Sequence, residues 1–153
     1  MSIAVLIADD HELVRSGLRG LLERNGFSIA AEASTPLEVV TYALDPRVQV
    51  VLLDFSWARC PNAARDEGLR LLRAIRSAHA SLPILMYSVE TSSECIERCR
   101  RAGASGYLIK GVDDGVLAWA VRGVHDGEQI WPDSQRMHPP VLPAHPGSRT
   151  ARR

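Results

Sequence analysis

A chain of 153 residues, 46% hydrophobic and 24% charged, is long enough to bury one sizeable core and short for two ordinary domains, and its composition argues against a disordered chain. Its 18 basic and 18 acidic side chains cancel to a formal net charge of +0, which argues against the broad electrostatic footprint of a nucleic-acid or anionic-membrane binder. Three cysteines without an evident framework point to thiols in a reducing, cytoplasmic compartment, and no stretch reads as a signal peptide or a membrane span.

The run Ile3 to Ala8 predicts a first buried strand, ending in Asp9 and Asp10. From His11 to Asn25, Val14, Leu18, Leu21 and Leu22 recur at helical spacing among charged residues, so this segment is an amphipathic helix that Gly26 stops. Phe27 to Ala33 is a second strand. Ser34-Thr35-Pro36 starts a helix running to about Leu44, with a capping hydroxyl and a proline in the first turn, and Asp45-Pro46 breaks it. Val50-Val51-Leu52-Leu53 is a strand buried on both faces, the kind that parallel sheets covered by helices contain, and Asp54 ends it abruptly.

An irregular polar segment, Ser56 to Asp66, follows and holds Trp57, Arg59, Cys60, Pro61 and Arg65. Helical periodicity resumes from Gly68 to about Ala80. Pro83 to Tyr87 is a fourth strand ending at Ser88, and Thr91 or Ser92 caps a helix whose acids lie early and whose arginines lie late, the order its dipole favours. Gly106 to Ile109 is a short fifth strand before Lys110, and Asp113 to Asp126 is a last helix. From Glu128 neither period is present; prolines and a terminal Arg149, Arg152 and Arg153 suggest an extended or disordered tail over residues 128–153, beyond a domain covering 1–127.

Strict alternation of strand and helix with short connections gives right-handed parallel crossovers, hence an α/β doubly wound sheet with helices on both faces. Every strand's carboxyl end then lies on one edge, where ligands of such sheets bind, and Asp9, Asp10, Asp54, Ser88 and Lys110 converge there. Any one of them alone reads as a solvated turn residue. Together, carboxylates that repel one another call for a cation, and oxygen donors that leave room for water and phosphate suit magnesium. A lysine and a hydroxyl beside them complete an arrangement for phosphoryl transfer to a carboxylate.

The stretches Ile7-Ala8-Asp9-Asp10-His11-Glu12-Leu13-Val14-Arg15, Val51-Leu52-Leu53-Asp54 and Gly103-Ala104-Ser105-Gly106-Tyr107-Leu108-Ile109-Lys110 resemble the receiver domain of two-component response regulators over residues 3 to about 127. They are most similar to the NarL/FixJ subfamily, whose receivers precede a helix-turn-helix output domain of LuxR type. The resemblance implies a flavodoxin-like five-stranded parallel sheet of order 2-1-3-4-5. It implies Asp54 as phosphoacceptor, with Mg2+ held by Asp10 directly, Asp9 through water, Asp54 and the Ser56 carbonyl. Lys110, Ser88 and the Val89 amide would hold the phosphoryl group, and Ser88 with Tyr107 would form a switch. A sensor histidine kinase or phosphotransfer protein would be the donor, a downstream protein the target, and catalysis no more than self-phosphorylation and self-dephosphorylation.

Two departures from the family stand out. Gly68, which opens the third helix, lies fourteen positions beyond Asp54, further than is usual, so the intervening loop either acts at the site or is a surface excursion. No output domain is recognisable after Glu128. The alternatives are therefore a receiver-like module that works by binding without phosphorylation, or a truncated DNA-binding regulator. A nucleotide-binding domain or phosphatase ranks last, since the first turn lacks the glycine fingerprint. His11 reads as an exposed neighbour of the helix start rather than a ligand. Cys95 and Cys99 lack partners for a metal site and read as buried or half-buried thiols. Leu13, Gly17 and Gly20, with Trp119 off the buried face of the last helix, suggest a homodimer surface.

Overall fold

The computed structural model describes residues 2–132. In chain order they form β1 (Ala4–Ala8), α1 (Glu12–Arg24), β2 (Ser28–Ala33), α2 (Pro36–Ala43), β3 (Val50–Leu53), α3 (Glu67–Ala78), β4 (Ile84–Ser88), α4 (Ser93–Arg101), β5 (Gly106–Ile109) and α5 (Asp114–His125). The strands pair in parallel in the order β2-β1-β3-β4-β5. This is the expected alternation, with element ends within about two residues of the expected ones, the usual uncertainty of helix and strand ends.

The sheet is covered on both faces because its central strands are apolar on both. In β3, Val51 and Leu53 face a core shared with Val39 of α2, Leu69 and Leu72 of α3 and Cys99 of α4. Val50 and Leu52 face the opposite core, with Leu18 and Leu22 of α1 and Leu117 and Val121 of α5. A period of two along a strand separates the two sets, which is why an unbroken aliphatic run was needed.

Helix starts follow local chemistry. Thr35 accepts a hydrogen bond from the Glu38 amide (3.2 Å), and the Glu38 carboxylate accepts from the Ser34 amide and hydroxyl (3.2 and 2.9 Å), a reciprocal cap ahead of Pro36. Ser92, of the two candidates, caps α4 by accepting from the Cys95 amide. Among the described residues no helix is long and apolar enough to cross a membrane.

Packing continues past the expected boundary at residue 127. Ile130 and Trp131 are buried, at 4% and 7% exposure, and Ile130 bridges Gly106 in parallel, with the Tyr107 amide donating to the Ile130 carbonyl at 2.8 Å. The approach requires glycine at position 106, where a Cβ would stand 2.6 Å from the Ile130 carbonyl oxygen. Trp131 lies under the Arg100 guanidinium of α4, 4.5 Å from its ring centroid. Residues 128–131 thus belong to the folded unit; periodicity could not reveal them because a single bridge has no period. The rest of the expected tail, 133–153, lies outside the described residues.

Candidate functional site

Backbone pairing brings the site together. Beyond the last strand residues, the Asp54 amide donates to the Ala8 carbonyl (2.9 Å), the Asp9 amide to the Ala33 carbonyl (3.1 Å) and the Lys110 amide to the Ser88 carbonyl (2.8 Å), so the parallel ladder carries these residues to one edge. The carboxylate oxygens of Asp9, Asp10 and Asp54 fall within 4.8 Å of one another. Asp9 and Asp54 are 2% and 6% exposed, and Asp10 is half-buried. The Lys110 ammonium donates to Asp9 Oδ2 at 3.0 Å and to Asp54 Oδ2 at 3.1 Å.

Main-chain amides supply the remaining contacts. His11 donates to Asp9 Oδ1 at 2.7 Å, Arg59 to Asp10 Oδ2 at 2.8 Å and Ser56 to Asp54 Oδ1 at 3.3 Å. Burial pushes the Asp54 carboxyl up to about 6; the Lys110 charge opposes this and the Asp9 charge reinforces it. Burial alone would lower the Lys110 ammonium, but the two carboxylates it touches outweigh that and hold it above its ordinary value.

One ammonium against three clustered carboxylates leaves excess negative charge and spare oxygen lone pairs. That donor set fits a hard divalent cation such as Mg2+, whose ligands are oxygens and which keeps positions for water and phosphate. Asp9, Asp10 and Asp54 would hold it, with Ser56 beside Asp54. Among the described residues this is the sole cluster of its kind; Cys95 and Cys99 gather no third ligand, and burial pushes the Cys99 thiol up to about 12.

Ser88 is fully buried at the end of β4, and its hydroxyl accepts from the Glu90 amide at 3.1 Å. The Tyr107 ring is fully buried and its hydroxyl donates to the Glu90 carbonyl at 2.8 Å; burial raises this phenol above its ordinary value. Val89 follows Ser88 with its side chain 71% exposed.

The long loop runs over the surface but is anchored in the core by one side chain. Trp57 is completely buried in the core under α2 and α3, and its indole donates to the Asp54 main-chain carbonyl at 2.9 Å. The loop closes onto α3 at Gly68, where a Cβ would stand 2.5 Å from that same carbonyl oxygen. Its far end is tied to α4 by the Arg98–Asp66 ion pair at 3.2 Å.

Two other expectations shift. His11 is half-buried rather than exposed, and its Nδ1 is shielded without a partner. Trp119 packs, partly buried, against the α1–α5 core, whereas Leu13 is 76% exposed and Gly17 faces open space. Arg15 went unremarked as a site residue, yet its guanidinium donates to the Asp9 carbonyl at 2.8 Å. Its place one turn into α1, facing the strand end, was the signal. The Arg59 contact left no signal at all, because it is made by the main chain.

A model of the response regulator receiver domain matches residues 5–122. Response regulator UvrY of Escherichia coli strain K12 is 37% identical over 128 residues, which are 83% of this chain and 56% of that protein. The nitrate/nitrite response regulator protein NarP of the same strain is 34% identical over 128 residues, 83% of this chain and 57% of that one. The chain therefore spans little more than half the length of these curated relatives. The crystal structure of a LuxR-family two-component response regulator from Aurantimonas sp. SI85-9A1 superposes with a TM-score of 0.76 at 27% identity, covering 85% of this chain and 89% of that one.

Proposed function

The chain belongs to the response regulator receiver family, and on that premise we propose that it is a Mg2+-dependent phosphoacceptor of a two-component phosphorelay, with Asp54 as the acceptor. The observation that carries this reading is the Lys110 ammonium bridging Asp9 and Asp54 inside a cluster of three carboxylates. A sensor histidine kinase or phosphotransfer protein is the donor. A cytoplasmic location suits such a donor and the three free thiols.

An Asp54 carboxylate oxygen attacks phosphorus as the bond to the donor's imidazole nitrogen breaks, and the imidazole leaves with its electron pair and takes up a proton. Asp9, Asp10, Asp54 and the Ser56 carbonyl would hold Mg2+, which would supply positive charge to neutralise the acids and the transferring oxygens. Lys110 is already within hydrogen-bond reach of Asp54 and meets a phosphoryl oxygen with little movement. The Ser88 hydroxyl and Val89 amide supply further donors. Drawing Ser88 toward the phosphoryl group ends its bond to Glu90, whose carbonyl holds the Tyr107 hydroxyl, so the two residues switch together. Moving such a switch from 1:99 to 99:1 takes roughly 5.5 kcal/mol, within reach of a few charge-assisted hydrogen bonds. The state of the switch is read by a downstream protein, and the exposed Leu13 and Gly17 of α1 are the candidate surface for a second copy.

Incubation with Mg2+ and a small phosphodonor, followed by intact mass, tests the proposal. Wild type is expected to gain one phosphoryl group and Asp54→Ala none. An unmodified wild type would favour a receiver-like module that works by binding alone.

A further inference from the structure

The insertion between Asp54 and α3 carries one side chain that nothing above employs. The main-chain amide of Arg59 is fixed on Asp10 Oδ2, so the residue stands at the acid cluster whatever its side chain does. That side chain forms one wall of an open cleft of about 440 Å³, whose other lining residues, His11, Glu12, Leu13 and Ser16, come from the beginning of α1. Both walls are tied to the acids by backbone amides, His11 to Asp9 and Arg59 to Asp10. The cleft therefore opens beside the cluster rather than on a remote surface.

Its lining offers one cation to an anion arriving from solvent, Arg59, with the acid Glu12 on the α1 side. The Arg59 guanidinium is exposed and makes no hydrogen bond or ion pair among the described residues, so no existing interaction has to break before it binds. With Mg2+ bound the three carboxylates and the Lys110 ammonium come close to neutral, and a guanidinium at the mouth adds a positive charge that attracts a dianionic donor and offers hydrogen bonds to its phosphoryl oxygens.

We propose that Arg59 binds the phosphoryl oxygens of the incoming donor and guides them through this cleft to Asp54, an inference that rests on Asp54 being the phosphoacceptor. With acetyl phosphate as donor, the new P–O bond forms to Asp54 while the bond to the acetate oxygen breaks, acetate departs with the electron pair, and Arg59 makes only hydrogen bonds.

The experiment follows phosphorylation of the full chain by acetyl phosphate and Mg2+, as the slope of initial rate against donor concentration at low and high salt. Arg59→Ala is expected to lower the slope about tenfold at low salt, less at high salt. Arg59→Lys should recover most of it, and Arg65→Ala, which removes an equal charge from the same loop away from the cleft, should stay within about twofold of wild type. A wild-type slope for Arg59→Ala, or an equal loss for Arg65→Ala, overturns the proposal. A wild type that gains no mass overturns the Asp54 reading itself, and the two failures are thereby distinguished.

Discussion

Asp54 sits where its own charge is unwelcome. Its carboxyl is raised to about 6 from an ordinary 3.8, chiefly by burial. The folded chain therefore binds more protons than the unfolded chain between those values. The group's contribution to stability is complete below about pH 3.8 and is lost as the pH rises through about 6. Asparagine has nothing to ionise. In chelator-treated buffer Asp54→Asn is expected to be more stable than wild type at neutral pH, on the order of 3 kcal/mol. Urea denaturation at several pH values checks the sign: the difference should shrink toward pH 4, and one that grew in acid would contradict it. Residues of this kind are legible in a sequence because a charged side chain directly after a buried strand has few places to go. Contacts made by amides, such as Arg59 to Asp10, depend on backbone direction and leave no mark on residue type.

The loop between Asp54 and α3 is where element-level reading stopped short. It has no period, and its polar composition allowed either a working part or an idle excursion. A tryptophan in such a segment was the clue, since so large an apolar surface is seldom left in water. Trp57 is buried beneath the loop and bonded to the Asp54 carbonyl, so the loop's packing and the position of the acceptor are one structure. Trp57→Ala is expected to cost about 3–5 kcal/mol. Trp57→Phe should cost less while removing the indole donor, and so separates packing from the hydrogen bond. Chemical denaturation measures both. Regular elements were easier to place: the two-sided aliphatic runs of β1 and β3, and the Thr35 and Ser92 caps, follow rules local to a few residues.

At the scale of the whole molecule, alternation alone implied the layered architecture, while the closing of β5 by Ile130 lay beyond any pattern. The sheet order makes β2 and β5 outermost, and an outermost strand offers unpaired amides and carbonyls to any other chain. On β2, Glu32 is engaged by Arg15 and Arg19, and such charge discourages pairing. On β5, protection comes from the bridge, which occupies the Ser105 carbonyl and the Tyr107 amide. A version cut after Gly127 would lose Ile130 and Trp131, at most about 3–6 kcal/mol of burial, and would bare those two groups. Size-exclusion chromatography should then find concentration-dependent edge-to-edge association that the uncut chain does not undergo. Residues 128–131 thus act as a guard against aggregation, and their removal would turn a well-behaved fold into a sticky one.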